Sequence, residues 1–461
     1  MAQNKVKRGV SPFLLVVISF VAVILLGSFL LTLPFANKDG NWGNYIDSLF
    51  TATSATCVTG LSVFPTGLVG QLTFFGQLVV LICIQIGGLG FITIFGFIVT
   101  LFKNLTFKNR FTLMQAVNAD NMLQVKSFVR KIIIISFSFE IIGVLLTLPV
   151  FYPLTSNPGE AIWISIFHSI SAYNNAGFDI LGTSSLIRNV GTPLIDAIPD
   201  WSYTYFLFIT MFLIVAGGIS FITIIDVFNI KKKPHQWRAV TKICLLTSII
   251  LIFLGFGIFM LTDGIKSTNT MSPLNALFHS ISLRTAGFAT YDQANLSFAG
   301  RVFSCIFMFI GGSPLSTAGG IKVTTLFIVV LSIIQYLRNR PLVCFKRHFS
   351  NKTVFKSMTL VFIALMTVIL SSTLISAFES SNPVILDSTD IMFECFSAFG
   401  TVGNSTGITP TLSVGSKIII IILMFIGRLG PITFFQIFQN NSLNQSENKN
   451  YSFVEEDVSI G

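Results

Sequence analysis

The stretch FHSISAYNNAGFDI at residues 167–180 occurs in recognisable form four times along the chain. The other copies are FTATSATCVTGLS at 50–62, FHSISLRTAGFATY at 278–291 and FECFSAFGTVGNS at 393–405. Each copy mixes apolar and small polar residues, contains a glycine near its end and precedes a long apolar segment. These glycines are Gly60, Gly177, Gly287 and Gly403, and successive ones are 117, 110 and 116 residues apart. Near-constant spacing with matching content indicates internal duplication.

The composition is that of an integral membrane protein. Of 461 residues, 52% are hydrophobic and only 10% are charged, and the mean hydropathy of +0.79 is well above that of soluble domains. The net charge of +10 is unevenly distributed, so it does not indicate nucleic-acid binding. The six cysteines lack metal-binding spacing and are interpreted as reduced thiols. The chain contains neither G-x-G-x-x-G after a strand nor a P-loop, so nucleotide control would need another polypeptide.

The apolar segments predict about eight transmembrane helices, two in each repeat. The pairs are 13–35 with 71–102, 130–152 with 203–229, 240–262 with 300–337, and 354–378 with 416–439. The first of these segments is too long for a signal peptide and is predicted to be a retained helix. Between the two members of each pair lies one copy of the repeated stretch, which is too short and too polar to cross a bilayer. It therefore predicts a re-entrant half-helix followed by a loop.

The predicted fold is an all-α integral membrane protein with four parallel repeats of helix, pore loop and helix around a central pore. The repeats are assigned to residues 1–110, 111–236, 237–347 and 348–440, and a polar cytoplasmic tail to 441–461. Lysine and arginine are concentrated at the N-terminus and in the segments that connect successive repeats, and are sparse on the side of the repeated loops. The positive-inside rule then predicts cytoplasmic termini and four loops that enter from outside.

The glycine of each loop suggests how the loop could act. Backbone at membrane depth is tolerated only where protein or a watery cavity satisfies its polar groups. Glycine permits the dihedral angles that point successive carbonyls toward one axis, and four such strands form carbonyl rings that replace the hydration shell of a cation. Thr401-Val402-Gly403 matches the start of the TVGYG strand of potassium channels. The predicted filter for a transported K⁺ ion comprises Val58, Thr59, Gly60, Asn175, Ala176, Gly177, Thr285, Ala286, Gly287, Thr401, Val402 and Gly403.

Almost the whole chain resembles the Trk/Ktr/HKT superfamily of potassium transporters, and more narrowly the membrane subunit of Ktr systems. The resemblance is carried by the four loops and by IGGLGFITI at 86–94, AGGISFITI at 216–224, GGSPLSTAGGIKVTT at 311–325 and GRLGPITFF at 427–435. It implies four M1-P-M2 units in one chain, potassium selectivity through the loop glycines, and a homodimer docked on a ring of nucleotide-binding cytoplasmic subunits of the KtrA/KtrC type. In this family a serine at the first loop glycine is associated with sodium permeation, so Gly60 favours potassium.

Two further elements are candidates for a gate. The run at 311–320 is either a kinked, tightly packed helix or, as the resemblance implies, an intramembrane loop that obstructs the pore below the filter. Arg428 is either an electrostatic barrier or partner of that loop, or a structural donor to pore-helix carbonyls. The predicted gate residues are Gly311, Gly312, Ser313, Pro314, Thr317, Gly319, Gly320, Lys322 and Arg428.

Several other polar residues have two interpretations. Glu140 is either a cation or proton site or a helix-to-helix hydrogen bond, and Glu394 and Arg284 either brace a filter strand or contact the ion. His168 and His279 occupy equivalent positions, which favours a shared structural role.

The predicted function is potassium uptake across the cytoplasmic membrane, with sodium dependence left open. The alternatives are an alternating-access transporter coupled to sodium or protons, and a sodium-permeable conductance. No residue set suggests catalysis, so the chain is not predicted to be an enzyme, and no organic cofactor is expected.

Overall fold

The structure is a computed structural model that describes residues 12–101, 122–182, 185–188, 192–229, 234–266, 269–345, 347–380 and 386–430. The N-terminal basic residues, part of the predicted cytoplasmic basic segments, residues 431–435 of the last motif and the predicted tail at 441–461 lie outside these ranges. The boundary predicted at 110/111 also lies outside them.

Helices account for nearly all of the regular structure in the described residues. In the first half of the chain they are α1 Pro12–Thr32, α2 Tyr45–Thr56, α3 Gly67–Gln71, α4 Phe74–Leu101, α5 Met122–Phe151, α6 Pro158–Tyr173, α7 Pro193–Asp196, α8 Asp200–Gly218 and α9 Phe221–Val227. In the second half they are α10 Ala239–Thr262, α11 Pro273–Ser282, α12 Phe298–Phe309, α13 Val323–Leu337, α14 Asn351–Glu379, α15 Ser388–Gly400 and α16 Val414–Leu429. Two short strands, β1 Val343–Cys344 and β2 Arg347–His348, form an antiparallel hairpin that pairs Val343 with His348 and Cys344 with Arg347.

One order of helices occurs four times. A long apolar helix (α1, α5, α10 or α14) is followed by a short helix that ends at a repeated loop (α2, α6, α11 or α15) and then by a second apolar helix. An asparagine, serine or aspartate side chain caps the N-terminus of every short helix: Asn44, Asn157, Ser272 and Asp387. Such caps satisfy N–H groups that would otherwise lack a partner at the start of a helix.

The second helices of the first three repeats are interrupted, and of these breaks the sequence predicted only the one at 311–320. Gly90 has a φ of 71° inside α4, and Ile219 and Ser220 separate α8 from α9. Residues 310–322 separate α12 from α13, and Gly430 ends α16 with a φ of 85°. Apolar segments predicted as single spans at 71–102 and 203–229 therefore fold as pairs of shorter pieces, and 300–337 is divided at the run predicted as a gate.

The helices found in the described residues suit a membrane protein. Four are long and apolar enough to cross a bilayer, within Ser127–Phe151, Asp200–Gly218, Ala239–Thr262 and Asn351–Glu379. Four shorter apolar helices are Val17–Thr32, Phe74–Gly90, Phe298–Phe309 and Val323–Leu337. Large apolar side chains such as Phe253, Phe362 and Leu370 are more than half exposed on α10 and α14. Lipid is the solvent in which such faces are stable.

Glycine lets the second helices approach the short helices closely. A Cβ atom added at Gly217, near the end of α8, would lie 1.7 Å from the carbonyl oxygen of Tyr173 at the end of α6. The same approach occurs at Gly87 toward Thr56 and at Gly427 toward Phe399, each at 1.9 Å. The glycines Gly87, Gly217 and Gly427 of the motifs at 86–94, 216–224 and 427–435 therefore bring the second helix to the C-terminal end of the short helix.

Polar contacts between neighbouring repeats recur at the same helical positions. Two of them are ion pairs of 2.8 Å, Lys417 Nζ to Asp47 Oδ1 and Arg301 Nη1 to Asp390 Oδ1. In each pair the cation is the fourth residue of a second helix and the carboxylate is the third residue of the next repeat's short helix. Gln77, the fourth residue of α4, accepts a 2.9 Å hydrogen bond from Trp163 of α6. Repeats 1 and 2, 3 and 4, and 4 and 1 are therefore connected at this end of the helices.

Exchanging the charges of the pair formed by Lys417 and Asp47 tests this connection. Replacing Asp47 by Lys leaves two like charges in contact, and we expect a lower midpoint of thermal unfolding in detergent, corresponding to about 1 kcal/mol. The double exchange, Asp47→Lys with Lys417→Asp, should restore most of the loss. As a control, the same charge exchanges are made in the ion pair of Arg188 and Asp200. This pair lies inside one repeat, and its Asp200 side chain is 98% exposed. A double exchange no more stable than the single variant would contradict the assignment.

Candidate functional site

The four predicted filter strands meet in a closed ring. We call residues 58–60, 175–177, 285–287 and 401–403 the ring segments. A Cβ atom added to each glycine would clash with a carbonyl oxygen of the following segment: Gly60 with Ala176 at 2.4 Å, Gly177 with Ala286 at 2.7 Å, Gly287 with Val402 at 2.5 Å, and Gly403 with Thr59 at 2.1 Å. The segments therefore adjoin in chain order, and the fourth closes on the first. Any side chain at these glycines would collide with backbone.

The ring segments share an unusual backbone conformation. Each glycine has a positive φ, between 68° and 101°. The residue two positions earlier also has a positive φ in all four segments: Val58 at 58°, Asn175 at 59°, Thr285 at 74° and Thr401 at 51°. Non-glycine residues rarely adopt this region, and holding them there requires support from the surrounding structure. This support comes from the short helices behind the ring.

The N–H groups of the ring segments bond to these short helices. The middle residue of each segment donates to a serine carbonyl oxygen at 2.8–2.9 Å: Thr59 to Ser54, Ala176 to Ser171, Ala286 to Ser282 and Val402 to Ser397. The hydroxyls of Ser54 and Ser397 also accept from Gly60 N and Gly403 N, each at 3.1 Å. These serines were not predicted as site residues, although each lies in the repeated stretch. Because the middle amide of each ring segment bonds to the short helix behind it, the segment's carbonyl oxygens are left facing the glycines of the neighbouring segments.

A cavity of about 550 Å³ opens on one side of the ring and is lined by all four ring glycines. Asp179 and Asp292 are among its lining residues. Asp179 lies two residues after Gly177, and Asp292 lies five residues after Gly287. The sequence analysis did not select these carboxylates, and their proximity to a ring glycine in the sequence was the available signal.

The run predicted as a gate is an extended loop and not a kinked helix. α12 ends at Phe309, α13 begins at Val323, and a bridge between Ile310 and Ile321 holds the two ends of the loop together. Glycine and proline in this run disfavour a helix. A Cβ atom added at Gly319 would lie 2.1 Å from Thr401 Oγ1, so the loop passes directly beside the fourth ring segment. We call residues 310–322 the central loop.

The central loop is held by the interruption between α8 and α9. Thr317 donates from Oγ1 to the carbonyl oxygen of Gly217 at 2.9 Å, and Ser313 N donates to Gly218 O at 3.1 Å. In return, Phe221 N donates to the carbonyl oxygen of Leu315 at 3.0 Å. The break in the second repeat therefore supplies backbone groups that a continuous helix would have used internally.

Two basic side chains donate to carbonyl oxygens of the central loop. Arg428 Nη1 donates to Thr317 O and Nη2 to Gly87 O, so this half-buried guanidinium joins the loop to α4. Lys322 Nζ donates to Ala318 O at 2.6 Å. In the described part of the chain, neither cation forms an ion pair. Of the two interpretations of Arg428, the contact with the loop is present, and its second acceptor is a carbonyl oxygen of α4 and not of a short pore helix.

The remaining candidates lie behind the ring. His168 Nε2 hydrogen-bonds to Thr210 Oγ1 at 2.9 Å, and His279 Nε2 to Ser304 Oγ at 3.1 Å, so both histidines contact the second helix of their own repeat. Glu394 Oε1 accepts from Ser405 Oγ at 3.0 Å and from Thr409 Oγ1.

Arg284 Nη2 donates to Ser248 Oγ at 2.9 Å on α10. No group of three or more His, Cys, Asp or Glu with metal-site geometry occurs in the described residues.

Comparison with known proteins identifies the family. Residues 4–446 match the family model TrkH, described as a cation transport protein. The chain belongs to the TrkH family of cation transport proteins. It is therefore a membrane transporter and not an enzyme, as the sequence predicted.

Curated relatives match over nearly their full length. The chain is 34% identical to the potassium/sodium uptake protein NtpJ of Enterococcus hirae, covering 100% of this chain and 99% of the relative. It is 35% identical to the Ktr system potassium uptake protein B of Bacillus subtilis, covering 100% of both. The crystal structure of the potassium transporter TrkH from Vibrio parahaemolyticus superposes with a TM-score of 0.68 at 18% identity, covering 96% of this chain and 87% of that one. This likeness confirms the predicted all-α membrane fold.

Glycine-to-alanine variants test the close approach of the second helix to the short helix. Gly217→Ala places a methyl group against the Tyr173 carbonyl, so we expect a marked loss of folded protein after size-exclusion chromatography in detergent. The matched control is Gly257→Ala in α10, where an added Cβ meets nothing within 4 Å. The control should be neutral or more stable by up to about 1 kcal/mol, because alanine is the better helix former. Equal behaviour of the two variants would contradict the packing described above.

Proposed function

We propose that this chain is the ion-translocating subunit of a potassium uptake system in the cytoplasmic membrane, with one pore per chain. The observation that carries the proposal is the closed ring of four segments, in which the amides bond outward and the carbonyl oxygens stay at the ring. Similarity to a Ktr system potassium uptake protein supports potassium as the ion.

Selection would occur by replacement of the ion's hydration shell. Carbonyl oxygens of the four ring segments would take the place of water around a dehydrated K⁺ ion. Asp179 and Asp292 in the outer cavity would raise the local concentration of cations. The short helices end at the ring, so their C-terminal dipoles add negative potential there.

The central loop would act as the gate. It lies beside the fourth ring segment, and Lys322 and Arg428 donate hydrogen bonds to its carbonyl groups. Backbone and positive charge in this position obstruct a cation that leaves the ring. Opening then requires the loop to give up its hydrogen bonds with Gly217 and Arg428.

Regulation is proposed to come from other subunits. The resemblance to Ktr membrane subunits supports a homodimer docked on a cytoplasmic nucleotide-binding ring, and the distribution of lysine and arginine supports cytoplasmic termini. The name of the relative from Enterococcus hirae includes sodium, which makes sodium permeation or sodium dependence the second candidate.

Cation flux into proteoliposomes that contain this protein alone tests the filter. We expect potassium and rubidium to permeate far better than sodium. Gly60→Ser should reduce this preference by roughly tenfold, a change of about 1.4 kcal/mol in relative barrier height, because the new side chain meets the Ala176 carbonyl oxygen in the ring. The matched control is Gly40→Ser, since Gly40 also has a positive φ, of 67°, but has open space at the Cβ position. Sodium-dominated flux in the wild type, or an unchanged preference in folded Gly60→Ser protein, would reject the filter assignment.

Shortening the central loop tests the gate. Deleting residues 314–317 removes the contact of Thr317 with Gly217 and Arg428, and we expect faster rubidium influx and less dependence on a cytoplasmic regulatory partner. The measurement is tracer uptake into proteoliposomes, with folding checked by size-exclusion chromatography. Unaltered or abolished flux in a correctly folded deletion variant would indicate that the loop serves packing only.

A further inference from the structure

Glu140 is a buried carboxylate in the middle of α5 that the proposed pathway does not contact. The residue is 3% exposed. Its Oε1 accepts hydrogen bonds from Gln85 Nε2 at 2.9 Å and from Asn174 Nδ2 at 3.1 Å. None of the ion pairs in the described residues includes Glu140. A carboxylate at membrane depth with neutral partners is costly, and such residues are usually functional.

The two amide partners come from elements that border the proposed pathway. Gln85 lies on α4, two residues before Gly87, whose carbonyl oxygen accepts from Arg428. Asn174 is the C-cap of α6 and directly precedes the second ring segment. Glu140 thus joins α4, which accepts a hydrogen bond from Arg428, to the residue directly before the second ring segment.

Tight packing holds Asn174 in this arrangement. A Cβ atom added at Gly88 would lie 1.9 Å from Asn174 Oδ1, so the amide lies directly against the α4 backbone. Asn174 Nδ2 also lies 3.2 Å from Gln85 Oε1. Ser169 Oγ of α6 donates to the backbone carbonyl of Glu140 at 2.6 Å. Removing the carboxylate would take the 2.9 Å acceptor from Gln85 Nε2 and leave Asn174 Nδ2 with Gln85 Oε1 and the Ile170 carbonyl oxygen, next to a backbone that is already in a rare conformation.

These contacts belong to a closed circuit that includes the central loop. Thr317 Oγ1 lies 3.4 Å from the carbonyl oxygen of Tyr173, the residue before Asn174, and the carbonyl oxygen of Thr317 accepts from Arg428. Hydrogen bonds and short stretches of chain connect, in order, Thr317, Arg428, Gly87, Gln85, Glu140, Asn174 and Tyr173, and return to Thr317. Release of the loop would break this circuit on the side opposite Glu140.

We infer that Glu140 is a positioning residue that couples the second ring segment to the central loop, so that it sets ion selectivity and links selectivity to the state of the loop. The inference rests on the proposed function. It requires Glu140 as a hydrogen-bond acceptor and not as a charge, because its partners are two amides. A cation or proton site would instead require the charge itself.

The test compares substitutions at two buried carboxylates by rubidium and sodium flux into proteoliposomes. Glu140→Leu removes the acceptor, and the preference for rubidium over sodium should fall about threefold or more. Glu140→Gln keeps an acceptor and should stay close to the wild type. The matched control is Glu379→Leu in α14, because Glu379 is 5% exposed and accepts from Ser413 at 2.8–2.9 Å outside the circuit. It should lower thermal stability and leave the preference unchanged.

Different outcomes reject different claims. An unchanged preference in folded Glu140→Leu protein, or a Glu140→Gln variant as impaired as Glu140→Leu, would overturn the inference and leave the proposed function in place. A wild type without any preference for rubidium would overturn both. If Glu140→Leu does not fold, Gln85→Leu removes the second member of the same contact. The preference should then fall in the same direction, and an unchanged value would equally reject the inference.

A double-mutant cycle tests the coupling to the loop. Thr317→Val removes the hydroxyl that contacts Gly217 and Tyr173 with little change in shape. If the circuit transmits the effect, the logarithm of the ion preference in the double variant with Glu140→Leu should differ from the sum of the two single changes. Additive changes would show that Glu140 acts on the ring segment alone and would reject the coupling.

Discussion

The structure depends on the mutual approach of four backbone segments at Gly60, Gly177, Gly287 and Gly403. No side chain fits where these segments meet, because each position is occupied by a carbonyl oxygen of the next segment. The approach is possible only if the amide groups of the segments bond elsewhere, and the serines of the four short helices supply those acceptors. The repeated stretch of sequence is therefore one unit, in which a half-helix supports the segment that follows it.

The interrupted second helices follow from the same requirement. Each short helix ends at the ring, and the second helix passes its C-terminal end so closely that the backbones of the two helices are in contact. Gly87, Gly217 and Gly427 permit this approach. The interruption near Gly217 and Gly218 also exposes the backbone groups that bind the central loop, so the repeats have become unequal while keeping a common plan.

The loop and the ring are connected through a series of polar groups. Arg428 links the central loop to α4, Gln85 and Glu140 link α4 to α6, and Asn174 leads into the second ring segment. Such an arrangement favours two discrete states over gradual deformation, because buried hydrogen bonds are either made or lost. In the described part of the chain, hydrogen bonds from Gln85 and Asn174 offset part of the cost of burying the Glu140 carboxylate in α5.

The sequence by itself determined the membrane class, the fourfold repetition, the position of each short helix and the family, because hydropathy and repeated motifs are local properties of the chain. It also selected Gly60, Gly177, Gly287, Gly403 and the glycine-rich run at 311–320. Only the tertiary structure revealed the positive φ at Val58, Asn175, Thr285 and Thr401. These residues are of different types and have different sequence neighbours, so no common sequence signal marks their shared conformation. The partners of Glu140 and Arg428 were likewise decided by packing, because their acceptors and donors lie on elements far away in the chain. An apolar pattern has the same appearance in a continuous helix and in one interrupted where another backbone comes close, so the breaks at Gly90 and at Ile219 and Ser220 became visible only when the repeats were assembled.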